Sequence, residues 1–168
     1  RCFYLKELIA EANDALQENA RHYLDNSKDI NDRDSFHWHS EMLCRLIEMY
    51  GPKGSASPGL LKSETEELMM ECLWRYASGH MRPNETDVTV GQAWRLHTSD
   101  NHHAMDNVAK WHYAQLAKDH PAFRNRKYPD GSSAAEKYGA WNEHVKLFCE
   151  ERARKGLYVE LASDNYNL

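Results

Sequence analysis

The chain lacks a long apolar run, a cluster of basic residues, a C-x-x-C pair and an initiator methionine. Each absence removes a class of explanation. Without some twenty consecutive apolar residues there is no transmembrane helix to propose, and the first residues do not form a signal peptide. A formal net charge of −5 with no basic cluster argues against electrostatic binding to nucleic acid. The ten histidines soften that balance only at mildly acid pH. Cys2, Cys44, Cys72 and Cys149 are widely spaced, and Cys44 and Cys72 fall on or beside apolar helical stripes, so buried thiols are the default reading and disulfides the alternative. A chain that opens at Arg1 reads as a processed product or a fragment. An export signal already removed would make it secreted or periplasmic.

What is present is a helical pattern almost throughout. At 168 residues, with ordinary aliphatic and aromatic content, the chain is long enough for one globular helical domain. Leu5, Leu8, Ile9, Ala12, Leu16 and Tyr23 trace one stripe, and Phe36, His39, Leu43, Leu46 and Tyr50 a second. A Gly/Pro/Ser loop over 51–59 separates that helix from a third. The third opens on a capping-box pair, Ser63 and Glu66, and continues through Leu68, Met69, Cys72, Leu73 and Tyr76. Ser133 and Glu136 repeat the capping-box spacing, after which Tyr138, Trp141, Val145, Phe148 and Arg152 share a face. Arg152, Arg154 and Lys155 put cations at the negative end of that helix, and Gly156 follows in the C-cap position. With a helix starting near Asp100, this gives five principal helices and no convincing sheet.

Residues 79–99 break the pattern. They hold Pro83, Gly91, Trp94 and the run Val88-Thr89-Val90 with no helical period. Loops of this length inside compact domains usually build a site or are disordered, and Trp94 favours order. A surface connection anchored by the tryptophan is the plainer alternative. Beyond the loop, Thr98, Ser99 and Asp100 are all good N-cap residues, so a helix should start there. Met105, Val108, Ala109 and Leu116 form its expected apolar face, with His102 on the same face. Asn101 and His102 then stand in the first turn, where unpaired N–H groups and the helix dipole favour an anionic or hydroxyl-rich ligand. The same two residues also suit a cap and a hydrogen-bonded core histidine.

The order of motifs resembles a known family. Asn101-His102 at a helix start, the turn Asp130-Gly131, an arginine near the end of the next helix and the pair Asn165-Tyr166 resemble polysaccharide lyases of the α/α-toroid fold, the alginate lyases in particular, over the C-terminal seventy or so residues. The resemblance implies that the chain is part of a toroid of antiparallel helical hairpins, with the remaining half of the toroid as its partner. It also implies action on an acidic, uronate-containing polysaccharide with no cofactor and no metal. By that resemblance His102, Tyr166 and Arg152 would be catalytic. Asn101 and Arg154 would hold substrate, and Trp94, in a loop of the kind a carbohydrate-binding cleft needs, would join them.

Elimination from a uronate needs a neutralised carboxylate, a base and an acid, and these residues supply those parts. Related toroid glycoside hydrolases use two carboxyl groups roughly 5 to 10 Å apart instead. Asp100, Asp130, Glu136 and Glu160 are the candidates for that chemistry, and nothing in the sequence pairs any two of them. A non-enzymatic carbohydrate-binding or assembly module is the third reading. A zinc site would have to join His37 and His39 to His97, His102 or His103. The stripe on the last helix generates a direct test. Trp141→Ala should lower unfolding free energy by about 3 to 5 kcal/mol in urea titrations, and an unchanged midpoint would show that the stripe is not core.

Overall fold

The computed structural model describes residues 1–26, 28, 30, 33–79 and 100–155, with side chains throughout except at 33–35, 100–103 and 155. The described residues are all-helical, joined by turns and one isolated bridge between Lys127 and Ser133. They fall into two compact units, Arg1–His80 and Met81–Leu168.

The first unit holds α1 (Cys2–Leu5), α2 (Ile9–Asp25), α3 (Arg33–Tyr50) and α4 (Ser63–Gly79). The stripe expected to run unbroken from Leu5 is cut between α1 and α2. Lys6 (φ 58°) and Leu8 (φ 51°) both adopt left-handed backbone, so the helical phase is lost and Leu5 and Leu8 stay exposed. Side chains at positive φ are uncommon, and neither residue type announces the break. The short α1 is thereby a sixth helix, held by Phe3 stacking on Tyr50 with ring centroids 5.3 Å apart.

Contacts along α2 and α4 advance together. Gln17 Nε2 donates to Thr65 Oγ1 (2.9 Å), the Cys72 thiol donates to the Ala20 carbonyl (3.4 Å), and Arg75 Nη1 donates to the Leu24 carbonyl (2.9 Å). The two helices are therefore parallel. Phe36, near the start of α3, meets Tyr23 late in α2 (5.0 Å) and Tyr76 late in α4 (5.3 Å), so α3 runs opposite to both. On α3 the buried face is Phe36, Ser40, Leu43, Cys44, Ile47 and Tyr50. His39, expected on that face, is exposed at its edge, although its ring still approaches Tyr23 at 5.8 Å. The α4 stripe is as expected at Met69, Cys72, Leu73 and Tyr76, with Thr65, Met70 and Ala77 also buried.

The loop after α3 is built as a cap. Ser55 N, Ala56 N and Leu61 N donate to the carbonyls of Glu48, Met49 and Tyr50 at 2.8 to 3.0 Å, which satisfies groups that a helix end leaves open. A Cβ on Gly54 would lie 2.5 Å from the Met49 carbonyl oxygen, so only glycine fits. The start of α4 is held from a distance by Asn13, which is 0 % exposed. Its Nδ2 donates to the carbonyls of Ile9 (2.8 Å) and Leu60 (2.9 Å), and its Oδ1 accepts from Lys62 N (2.8 Å).

All four cysteines are free thiols; Cys44 and Cys72 are buried and Cys149 is exposed. Burial, reinforced by Glu41 and Glu48, raises Cys44 well above its ordinary pKa, and burial pushes Cys72 up to about 12.

The second unit is a hairpin of α5 (Asp100–Asp119) and α6 (Ala134–Lys155). α5 is helical from Asp100 on, and the other two expected cap residues, Thr98 and Ser99, lie outside the described residues. Buried positions on α6 are Ala134, Lys137, Trp141, His144, Phe148, Glu151 and Arg152, spaced by threes and fours, with Tyr138 and Val145 half-buried beside them. On α5 the buried face differs from expectation. Met105, Val108 and Leu116 are half-buried, whereas Asp106, Asn107, Lys110, Tyr113, Ala114 and Ala117 are buried with Ala109.

The connection carries two local devices. Ser133 and Glu136 form the expected capping box: Ser133 N and Oγ each donate to Glu136 Oε2 (2.7 Å), and Glu136 N donates to Ser133 Oγ (3.2 Å). Those bonds, with help from Lys127, hold the Glu136 carboxyl below its usual range. In the Asp130-Gly131 turn, Gly131 takes φ 83° and Asp130 Oδ1 accepts from Ser132 N and Oγ. Asp130 Oδ2 pairs with Lys137 Nζ at 2.8 Å. Partial burial acts to raise Asp130, but the Lys137 and Ser132 hydrogen bonds outweigh it and bring its pKa to about 2.

Two outcomes follow from these contacts. Asn13→Ala orphans the Lys62 amide and the Leu60 carbonyl and should destabilise by roughly 2 to 4 kcal/mol in urea unfolding, since each stranded buried group costs about 1 to 3 kcal/mol; a loss within error would show that the clamp is dispensable. Asp130, whose pKa is lowered on folding, contributes stability that is present above pH about 4 and lost as pH falls towards 2. The melting temperature of Asp130→Asn should therefore lie below wild type at neutral pH and converge on it in that acid window, and parallel curves would rule the contribution out.

Candidate functional site at the open end of the α5–α6 hairpin

Packing between α5 and α6 sets a register that decides where the expected site residues lie. Asn107 faces His144, with Nδ2 donating to Nε2 across 3.3 Å, and Lys110 Nζ sits 5.8 Å over the Trp141 ring. Partners thus move back along α6 as they move forward along α5, which makes the hairpin antiparallel. At the same register the first turn of α5, carrying Asn101 and His102, is level with Cys149 and Glu150 near the end of α6. Arg152 is half a turn further on. The start of α5 and the end of α6 therefore share the end of the hairpin opposite its connecting loop.

The buried surface changes character towards that end. Near the loop it is Ala114, Ala117, Phe123, Tyr128 and Ala134, with Lys137 reaching out to Asp130. Towards the open end it is Asp106, Asn107, Lys110, His144, Glu151 and Arg152 around Trp141 and Phe148. Lys110, 2 % exposed, donates to Asp106 Oδ2 at 3.2 Å within one turn of α5. His144 receives the Trp141 ring edge-on at 5.3 Å. The Arg152 guanidinium lies 4.6 Å over the Phe148 ring, and exposed Arg154 reaches Glu151 Oε1 at 3.6 Å.

Buried ionic groups cost more to desolvate than an apolar seam would, so this concentration is weak evidence for stability and better evidence for a site nearby. Arg152 and Arg154 put positive charge at this end of α6, beside the Glu151 carboxylate, while Lys110 is matched by Asp106 within α5.

The expected residues are distributed as follows. Asn101 and His102 lie on the first turn of α5, with the backbone alone described; Arg152 and Arg154 lie at the same end of the hairpin. Trp94, Asn165 and Tyr166, together with the 80–99 part of the expected loop, lie outside the described residues, as do His97 and Glu160. Asp130 and Glu136 are at the far end, engaged in the turn and the cap. The twenty residues of α5, at 1.5 Å per residue, put about 30 Å between that end and Asp100, so neither can complete a two-carboxylate site with it. His37 is buried on α3 and His39 exposed, as a two-residue helical separation requires. Among the described residues no group of three or more metal-ligating side chains converges, and no helix is long and apolar enough to cross a membrane.

Asp106, Asn107, Lys110, His144 and Glu151 escape a reading of the sequence by hydropathy, because charged and amide side chains are assigned to the solvent face. One signal was available. His144 and Glu151 continue the three-four spacing of Trp141 and Phe148, which places them on the buried face of α6 whatever their polarity. No family model matches the chain, and no curated protein or solved structure shows significant similarity to it.

Proposed function

We propose that the protein cleaves an acidic, uronate-containing polysaccharide by β-elimination, on a chain that forms part of an α/α toroid. The observation that carries the reading is the α5–α6 register, which sets the Asn101-His102 turn level with the arginine-bearing end of α6. Asn101 and Arg152 bind and neutralise the substrate carboxylate, which acidifies the neighbouring C–H. His102 and Tyr166 form the proton-transfer pair: one takes the C5 proton, the C4–O bond breaks as the C4=C5 double bond forms, and the other returns a proton to the leaving oxygen. Trp94 and Arg154 contact the sugar chain. Helix polarity in the first unit suits the fold, since hairpins standing side by side bring alternate helices together in parallel, as α2 and α4 are. The remote placement of Asp130 and Glu136 removes those two carboxylates from a pair with Asp100.

Each elimination creates an unsaturated product end that absorbs in the ultraviolet, so incubation with a panel of uronate polymers is a direct assay. The full-length protein, with both halves of the toroid, should produce that absorbance on at least one polymer, and His102→Ala should reduce the rate by about a hundredfold or more, the usual worth of a positioned acid or base. Reducing ends without absorbance would replace elimination with hydrolysis. No product from any uronate polymer would leave the reading without support.

A further inference from the structure

We infer that Asn107 and His144 are positioning residues that hold the first turn of α5 in its working place, an inference that rests on the β-elimination reading. Both side chains are more than nine-tenths buried, and neither is among the residues that would touch substrate. Their hydrogen bond crosses from one helix to the other, and each end is fixed by its surroundings. On α6 the His144 ring packs edge-on against Trp141. On α5 Lys110 lies over that same indole and is tied back to Asp106, so α5 meets Trp141 and His144 together. A neutral seam of alanines would let one helix slide or roll on the other. A single buried polar pair does not, because displacement strands a donor and an acceptor away from water.

Asn107 stands six residues after Asn101, about 9 Å along the axis at 1.5 Å per residue. The bond therefore pins α5 less than two turns from the residues that would do the chemistry. Proton transfer tolerates little error there: misplacement by about 1 Å can cost around a hundredfold in rate. The pair thus acts on the reaction through the backbone of α5 and not through contact with the sugar.

The order of the turn can be read without activity, because the amides of residues 104–107 bond to the carbonyls of 100–103 in a regular helix. Hydrogen exchange and steady-state kinetics are compared for wild type, Asn107→Ala, Asn107→Leu and His144→Gln, all well below their melting temperatures. Asn107→Leu removes the donor without leaving a large cavity and stands in if the alanine variant fails to fold. Gln keeps an amide oxygen near the position of the imidazole Nε2. We expect the Asn107 variants to exchange about tenfold faster at 104–107, with the amides around Trp141 unchanged. Their kcat on the polymer cleaved by wild type should fall about tenfold or more while KM stays within about twofold. His144→Gln should retain most of both properties. Wild-type exchange at 104–107 in the Asn107 variants overturns the inference, and so does faster exchange with unchanged kcat. If wild type cleaves no uronate polymer, the elimination reading fails on that result and the exchange data alone decide whether the pair holds the turn.

Discussion

A buried ammonium persists only beside its counter-charge, and Lys110 imposes that condition on the C-terminal hairpin. Its partner Asp106 sits one turn earlier on the same helix, and the face of Trp141 closes over the pair from α6. Both charges have left water, so the side of α5 that carries them must stay against α6. Rolling α5 outward would return Lys110 to solvent but would also uncover Tyr113 and Ala117, which follow it on the buried face. The Asn107–His144 bond adds an axial constraint to this rotational one. Together they set the level at which the start of α5 meets the end of α6, and the candidate site depends on that level.

The N-terminal unit is organised by a comparable economy of polar groups, with an amide in place of a salt bridge. Asn13 occupies a position on α2 where periodicity calls for an apolar side chain, and it satisfies one carbonyl and one amide at the entry to α4 besides the Ile9 carbonyl of its own helix. Its burial is tolerated because each of its polar atoms is matched. The parallel packing of α2 on α4 then follows from Thr65, Ala20 and Arg75, while aromatic contacts of Phe36 with Tyr23 and Tyr76 hold α3 in the opposite direction.

These cases explain which parts of the fold could be read in the sequence. The Ser133–Glu136 box, the α4 stripe and the Trp141–Phe148 face obey local rules: a cap needs two residues at fixed spacing, and a stripe needs only the helical period. The break at Lys6 and Leu8 was not legible, because left-handed backbone there is imposed by docking α1 through Phe3 and not by the residues themselves. On α5 the expected face of Met105, Val108 and Leu116 was rotated from the true one, since Asn107 is buried against His144 and Lys110 against Trp141, contacts with α6 that no local pattern names. Of the candidate site, the first-turn position of Asn101 and His102 and the helical end at Arg152 and Arg154 were legible. That both stand towards one end of the hairpin was not, because it depends on a register set by Asn107 and His144.

The distribution of thiols gives the molecule a built-in selectivity towards electrophiles. Thiolate is the reactive form, and burial suppresses it at Cys44 and Cys72. Cys149 is exposed, and it stands level with His102 across the hairpin. A maleimide dye or spin label introduced under native conditions would therefore spare Cys44 and Cys72 and attach at exposed Cys149 on α6, with half-buried Cys2 as the slower second site. Changes in the environment of a label on Cys149 would report on that end of the hairpin without any engineered cysteine.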